Sequence, residues 1–312
     1  MPWAAHGATD GRTLTGEPAG RALRLEPGAG GSAPGGSTVQ RILLGSRLRR
    51  LREEKGISAE DAGYAIRASQ SKISRMEHGR VGFKVRDVSD LLTLYGVNDE
   101  AERASLLESA RQANSPAWWH LYSDILPPWF ETYVGLEEAS SLIRGLESRY
   151  VPDLLQTEEY ARALAEVPPA GLDPTKIARR LDFQSRRRYL LRGDRPPRAW
   201  FLLDEAVLHR EVGGAEVMRG QLRHLVEIGE LDHVTVQVLP SAVPRRENGP
   251  FSLLRFADES LSDVVFIEHS TSGLYLDRPS DVDWYVQQFS TLGVAALRPR
   301  ASLELIHGLL SR

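Results

Sequence analysis

Apolar residues recur at helical spacing between residues 40 and 113. Leu44, Leu48 and Leu51 fall at positions i, i+4 and i+7, which places them on one stripe of a helix that Gly56 ends. Four more helical patterns follow, separated by glycine or polar turns: 58–66, 70–78, 85–96 and 99–113. No run of alternating apolar and polar residues interrupts them. The pattern predicts an all-α five-helix domain over residues 39–114.

The period changes in the rest of the chain, where helical patterns alternate with short apolar runs. Helices are predicted at 135–150, 157–166, 174–192, 216–230 and 281–297. Strands are predicted at 198–204, 234–240, 251–256, 264–268 and 274–276. The order strand, helix, strand from 198 to 240 indicates a parallel crossover. We therefore expect an α+β domain with a mixed sheet over residues 115–312.

Residues 1–38 are predicted to form a disordered tail. Gly, Ala and Pro make up 20 of the first 40 residues, so this segment has too few apolar side chains to offset the entropy lost on ordering. A start codon assigned too early in the gene would explain the same composition.

Composition excludes several classes of protein. The chain has no cysteine, which excludes disulfides, cysteine nucleophiles and thiolate metal sites. Its longest apolar runs, such as VVFI at 264–267, are far shorter than the ~20 residues of a membrane span. The first residues lack the basic and then apolar pattern of a secretory signal. We expect a cytoplasmic protein without a membrane contact, metal or cofactor.

Charge is distributed unevenly along the chain. Residues 41–86 carry twelve Lys or Arg and five Asp or Glu, a balance of +7. Because the whole chain has a net charge of −3, the remaining residues sum to −10. A basic segment on an otherwise acidic protein is typical of a surface that faces nucleic acid. The alternative interpretation is a chance cluster of charges on a solvated face.

The segment SQSKISRMEHG at 69–79 has the composition of a helix that contacts base pairs. On a helical wheel Ser69, Ile73 and Met76 lie on one side and are expected to pack inward. Gln70, Ser71 and Arg75 lie toward the opposite side. Gln and Arg can each form two hydrogen bonds to a base edge, and short Ser side chains permit close approach. We predict these three residues as base readers, although an ordinary polar surface helix has a similar composition.

Other residues near this helix suit contacts with DNA phosphates, which position a domain without reading sequence. The candidates are Ser58, Lys72, Arg80 and Lys84, with Arg86 beside them. The helix at 58–66 precedes 70–78 through a short turn, an arrangement that places the second helix in the major groove. Ala62 and Gly63 are small enough to let the two helices cross closely. Such domains bind two-fold symmetric sites, so a homodimer on double-stranded DNA is expected.

Residues 42–110, centred on LGSRLRRLREEKGISAEDAGYAIRASQSKISRMEHGR, resemble the Cro and phage-repressor helix-turn-helix domains, the xenobiotic-response-element (XRE) family. The resemblance implies that Gln70, Ser71 and Arg75 occupy the base-contacting positions. Ala59 departs from the pattern, because many members have a phosphate-contacting Gln there.

Residues 115–305 resemble the uncharacterised C-terminal domain of actinobacterial helix-turn-helix regulators, through segments such as WFLLDEAVLHREVGG, VTVQVLP and NGPFSLLRF. Those regulators are described as antitoxin-like and are often encoded beside a small acidic protein. The resemblance implies a transcriptional regulator whose second domain binds such a partner. Asp153 and Glu211 depart from the pattern; Gly is usual at the first position, where a positive φ would be tolerated by Asp.

No motif in the second domain identifies an enzyme. The eight histidines form no HExxH pattern, and no nucleophile elbow or phosphate loop is present. Glu268-His269 lies at a strand end, where active sites occur, but a polar pair in a turn is the favoured interpretation. Asp204-Glu205 is interpreted as the acidic start of a short helix. We therefore expect no catalytic activity.

Two features of the second domain suggest ligands. Trp118, Trp119, Trp129 and Tyr133 can line an apolar pocket, or form part of the core. Such a pocket would make the protein a metabolite-sensing repressor, the alternative to partner binding. The arginines at 179, 180, 186, 187 and 188 can present a basic face to an acidic protein, or form an ordinary solvated helix face.

Overall fold

The computed structural model describes residues 38–77, 79, 81–114, 117–167, 173–243, 249–257 and 261–311. The predicted tail lies outside the described residues, apart from Thr38, which begins the first helix. The structure confirms the predicted fold class: an all-helical N-terminal part is followed by an α+β part with a six-stranded mixed sheet.

The N-terminal part contains the five predicted helices. They are α1 (Thr38–Glu54), α2 (Ala59–Ala65), α3 (Gln70–Glu77), α4 (Val85–Leu94) and α5 (Glu100–Gln112). Leu44, Leu48 and Leu51 are buried in their common core, as the spacing predicted. The Ser58 hydroxyl accepts a hydrogen bond from the backbone N–H of Asp61 at 3.1 Å, which confirms the N-terminal cap of α2.

The second part alternates helices and strands. Its helices are α6 (Pro128–Ala139), α7 (Glu158–Ala165), α8 (Pro174–Arg188), α9 (Glu205–His209), α10 (Ala215–Gly229), α11 (Pro279–Ala295) and α12 (Pro299–Leu309). The strands are β1 (Ser140–Glu147), β2 (Arg198–Asp204), β3 (Val234–Leu239), β4 (Phe251–Phe256), β5 (Val264–Glu268) and β6 (Gly273–Leu276). Short 3₁₀ helices occur at Trp118–Tyr122, Asp153–Leu155 and Tyr189–Leu191.

The strands form one sheet in the order β3-β2-β1-β4-β5-β6. β1, β2 and β3 are parallel, which confirms the predicted crossover through α10, whereas β4, β5 and β6 pair antiparallel. The larger core lies between one face of the sheet and α6, α10 and α12. A smaller core lies under α11 on the other face.

Two elements of this second part were predicted wrongly or missed. Residues 140–147 form the central strand β1, although 135–150 was predicted as a helix. Gly145 explains part of the difference, since a Cβ there would lie 2.8 Å from the Phe201 ring on the neighbouring strand. Helix α12 was not predicted. It buries Ile306 against α10 and β3.

Close contact between α2 and α3 depends on the small residues of α2. Ala62 is fully buried, and a Cβ on Gly63 would lie 2.8 Å from the carbonyl oxygen of Ala68. The backbone N–H of Ala68 donates to the carbonyl of Gly63 at 2.8 Å. The turn therefore folds directly back onto α2, which fixes the direction in which α3 leaves it.

The turn between α2 and α3 contains the only described non-glycine residue with a positive φ, Arg67 at 54°. A left-handed conformation costs an L-residue about 1–2 kcal/mol, which exceeds the ~0.5–1 kcal/mol of extra chain entropy that Gly loses on folding. We expect Arg67→Gly to stabilise α2 and α3 by about 0.5–1 kcal/mol. Hydrogen exchange of the amides in α2 and α3 measures this stabilisation. The control is Arg67→Ala, which keeps the Cβ atom at the positive-φ position and is therefore not expected to stabilise the helices by a comparable amount.

Candidate DNA-binding helix and second-domain cleft

Helix α3 begins and ends at clear local signals. The Ser69 hydroxyl accepts from the backbone N–H of Lys72 at 3.2 Å, so Ser69 caps the helix. Gly79 follows its last turn with φ of +65°, and a Cβ there would lie 2.6 Å from the backbone nitrogen of Ile42. Ile73 and Met76 are buried, as predicted. Ser69 was expected to pack inward with them, but it is exposed because its hydroxyl serves the helix end.

The three predicted base readers lie together on the solvent side of α3. Gln70, Ser71 and Arg75 are all exposed, and Gln70 is the first residue of the helix. The Arg75 Nε donates to the carbonyl oxygen of Ser71 at 3.3 Å, which holds the guanidinium against the helix. The remaining N–H groups of Arg75 have no partner among the described residues. This face can therefore offer an amide, a hydroxyl and a guanidinium to a groove.

The predicted phosphate contacts have different environments. Lys84 is exposed and immediately precedes α4, but its side chain makes no cap hydrogen bond. Lys72 donates to a carboxylate oxygen of Asp87 at 2.6 Å, an ion pair that joins α3 to α4. Ser58 shares its hydroxyl between the α2 cap and the Asp61 carboxylate. Arg80 lies outside the described residues.

Much of the positive charge in residues 41–86 is paired within the domain. Arg47 pairs with Glu102, and Arg49 and Arg50 pair with the glutamates four residues later. Among the described residues of this segment, the exposed cations without an ion pair are Lys55, Arg67, Arg75 and Lys84. Two of these four, Arg75 and Lys84, are predicted DNA contacts, so the charge available to DNA is smaller than the +7 balance suggests.

A buried ion pair that was not predicted from the sequence holds α3 in place. The Arg52 guanidinium donates from Nε to Glu77 at 2.6 Å and from a terminal nitrogen to the same carboxylate at 3.0 Å. A third N–H of Arg52 reaches the carbonyl of Ile57 at 2.8 Å. These contacts tie α1, the start of α2 and the end of α3 together. The hydrogen bond to Glu77 raises the pKa of Arg52.

The four aromatic residues predicted as pocket lining are mostly core. Trp119 is buried with Tyr122 and Phe183, and Tyr133 is buried and stacked on Phe266 with ring centroids 4.2 Å apart. Trp129 packs against the same Phe266 ring. Of the four, Trp118 alone lines the cleft described next. The other three side chains fit the core alternative: Trp129 and Tyr133 pack between α6 and the sheet, and Trp119 packs in a separate cluster with Tyr122 and Phe183.

A cleft of about 450 Å³ lies beside Trp118, between α6, the end of α8 and the loop before β2. Its lining residues are Trp118, Val134, Glu137, Glu138, Arg186, Arg187, Tyr189, Leu190, Gly193, Asp194 and Arg195. Charged side chains make up six of these eleven residues. The volume falls within the range of sites for small molecules, and apolar atoms supply the larger share of the lining surface, as is usual for such sites.

The predicted basic face of α8 is divided by its own internal contacts. Arg187 is buried, donates to both oxygens of Glu137 at 2.5 and 2.8 Å, and reaches Asp153 at 2.7 Å. Arg179 pairs with Asp124 on the surface. Arg188 donates to the carbonyl of Gln156 at 2.7 Å. The five arginines thus do not form one continuous surface, since one is a core residue and two are engaged locally.

Comparison with protein families identifies both parts of the chain. Residues 43–106 match the helix-turn-helix domain family, which supports a DNA-binding regulator rather than an enzyme. Residues 130–308, more than half of the chain, match the family described as a domain of unknown function (DUF5753). The chain belongs to the DUF5753 family. Comparison with curated proteins and with solved structures found no match.

The acidic pairs in the DUF5753 domain have structural explanations. Asp204 accepts from the backbone N–H of Ala206 at 2.8 Å and begins α9, as predicted. His269 closes a turn through its backbone N–H, which donates to the carbonyl of Ser272 at 2.9 Å. Asp153, which departs from the family pattern, begins a 3₁₀ helix without a positive φ and binds Arg187.

Among the described residues of the chain, no group of three or more His, Cys, Asp or Glu side chains has the arrangement of a metal site. No helix in the same part of the chain is long and apolar enough to cross a membrane.

Proposed function

We propose that this protein is a sequence-specific DNA-binding transcriptional regulator of the XRE type. Helix α3 enters the major groove, and Gln70, Ser71 and Arg75 contact base edges. The observation that supports this most directly is the exposure of these three polar side chains on one face, opposite the buried Ile73 and Met76. A homodimer in the cytoplasm, associated with the nucleoid when bound, presents two such helices to a two-fold symmetric operator.

The proposal assigns phosphate contacts to Ser58, Lys72, Arg80 and Lys84. Lys84 is the best placed of the described ones, because its ammonium is exposed and has no ion pair in the described structure. Lys72 has a second role, since its ammonium braces α3 against Asp87. To reach a phosphate it must share its N–H donors or leave that carboxylate, so its contribution to affinity is smaller than that of Lys84.

The different roles of Arg75 and Lys84 can be tested with matched alanine variants. Arg75→Ala is expected to weaken operator binding by about 1–3 kcal/mol and to relax preference at one base position, because a two-bond base contact is lost. Binding to random DNA changes much less. Lys84→Ala is expected to weaken binding to operator and to random DNA by the same factor. It should also reduce the salt dependence of binding by about one released ion, because one phosphate contact is lost.

Fluorescence anisotropy titrations at two salt concentrations measure both effects. The variants serve as controls for each other, since each removes one exposed cation without an ion pair in the described residues. Equal losses on operator and random DNA for both variants would contradict the assignment of Arg75 as a base reader.

The second domain is proposed to receive the signal that controls DNA binding. An antitoxin-like role with a small acidic protein partner is the first candidate, and co-purification with loss of operator binding tests it. The divided arginine face of α8 gives this candidate little support. The second candidate is a metabolite-sensing repressor, which the cleft beside Trp118 favours.

A further inference from the structure

The cleft contains charged groups of both signs, and only some of them neutralise one another. Glu137 and Arg187 form the buried two-bond pair described above, which Asp153 completes. Arg186 lies over the Trp118 ring at 5.4 Å and is therefore held by an aromatic neighbour. The remaining charged residues of the lining are Glu138, Asp194 and Arg195.

These remaining groups lack partners of opposite charge within the described structure. Glu138 has no ion pair there, although the Trp118 indole interacts with its carboxylate. Asp194 and Arg195 are exposed at the mouth of the cleft and make no ion pair with any described residue. One wall thus presents a carboxylate on α6, and the loop before β2 presents a guanidinium.

The position of Glu138 distinguishes the cleft from an ordinary charged surface. Its side chain is accessible to solvent, yet enough protein surrounds the carboxyl group to raise its pKa by burial. The hydrogen bond from the Trp118 indole lowers the pKa, and the charge of Glu137 next to it raises it. The Glu138 side chain lines the cleft, so a ligand cation bound in the cleft can contact its carboxylate.

Much of the apolar part of the lining comes from the same stretches of chain as the charged groups. Val134 comes from α6, and Tyr189 and Leu190 come from the 3₁₀ helix after α8. Tyr189 is 66 % exposed, which is unusual for a ring of its size beside a cleft and leaves its face open to a ligand.

We propose that this cleft binds a small zwitterion, a free amino acid or a short peptide with free termini. Its ammonium group contacts Glu138, its carboxylate contacts Arg195, and its side chain packs on Tyr189 and Leu190. A purely anionic ligand would leave the Glu138 carboxylate facing like charge, and a purely cationic one would leave Arg195 without an acceptor. This inference rests on the second candidate function, but binding here does not require DNA.

Isothermal titration calorimetry on the full chain tests the proposal, with the twenty free L-amino acids and the corresponding Gly-X dipeptides as probes. At least one of them is expected to bind. Its decarboxylated amine and its deaminated acid are each expected to bind about tenfold more weakly or worse, because each lacks one charge-assisted contact.

Variants separate the two contacts. Glu138→Gln is expected to weaken binding of the zwitterion and of the amine, but not of the deaminated acid. Arg195→Gln is expected to weaken binding of the zwitterion and of the acid, but not of the amine. The controls are Glu304→Gln and Arg300→Gln, an exposed pair on α12 that does not line the cleft. They are expected to leave all affinities unchanged.

Two results would overturn the proposal. One is that no amino acid or dipeptide in the panel binds at millimolar concentration. The other is that binding occurs but neither cleft variant changes it. Either result leaves the DNA-binding proposal intact, since anisotropy on DNA measures that function separately.

Discussion

Glu77→Ala is expected to destabilise the helix-turn-helix domain by about 3–5 kcal/mol, because it leaves the Arg52 guanidinium buried without its carboxylate. The side chains of Arg52 and Glu77 are only 11 % and 6 % exposed. Water therefore cannot replace the lost partner. The free energy of opening, measured by hydrogen exchange of the amides in α1, α2 and α3, should fall by this amount.

The double substitution Arg52→Met with Glu77→Leu separates the buried charge from the packing. It removes both charged groups, so we expect it to recover most of the stability lost in Glu77→Ala. Glu54→Ala breaks the exposed pair with Arg50 on α1, which does not involve Arg52, and a pair of that kind contributes little to stability. If Glu77→Ala cost no more than Glu54→Ala, the pair of Arg52 and Glu77 would not hold α3 in place.

Arg187→Ala is expected to have a comparable effect on the second domain. The substitution leaves the buried Glu137 carboxylate, whose side chain is 1 % exposed, without its guanidinium partner. It also removes the contacts of the guanidinium with the Phe130 and Tyr133 rings. A loss of about 3–5 kcal/mol follows from an uncompensated buried charge. Five of the six tryptophans lie at 118–284, so their fluorescence during denaturant unfolding reports this domain.

Arg179 lies on the same helix as Arg187 and forms a surface pair with Asp124, so it provides the control. Arg179→Ala should change the unfolding midpoint far less, because the Asp124 carboxylate that it leaves behind is solvated. Substituting Glu137 and Arg187 together by Leu should recover stability relative to Arg187→Ala. Equal unfolding midpoints for Arg187→Ala and Arg179→Ala would show that the contacts of Arg187 with Glu137 and Asp153 do not stabilise the domain.

The helical domain could be predicted from the sequence because its signals are local. Ser58 and Ser69 cap helices within three residues of themselves, and Gly56 and Gly79 end helices through their own positive φ. The buried stripe of α1 was visible at helical spacing for the same reason. The outward position of Gln70, Ser71 and Arg75 followed from the wheel once α3 was placed.

The central strand shows where local signals fail. In SSLIRGLE the apolar residues at 142, 143 and 146 show no alternation, because Ile143 and Leu146 enter the cores on the two faces of the sheet. The choice between helix and strand is made by β2 and β4, which pair with β1 on its two sides and lie more than fifty residues away in the chain. The sequence did contain evidence against a helix here, since Ser140, Ser141 and Gly145 are poor helix formers.

The partners of charged side chains could not be predicted for the same reason. Arg52 and Glu77 are separated by 25 residues, and Arg187 and Glu137 by 50. Periodicity predicts which face of a helix a residue occupies, but it does not predict which distant residue that side chain contacts. Consequently Lys72 was predicted only as a phosphate contact, and Arg187 as part of an exposed basic face.

The most direct test of the central claim is selection of binding sites from random double-stranded DNA, followed by titration of the selected site. Our account predicts a short two-fold symmetric motif, bound far more tightly than a shuffled sequence of the same composition. It also predicts that Arg75→Ala loses this preference while retaining non-specific binding. Failure to enrich any motif, with equal affinity for selected and shuffled DNA, would contradict the assignment of α3 as a sequence-reading helix.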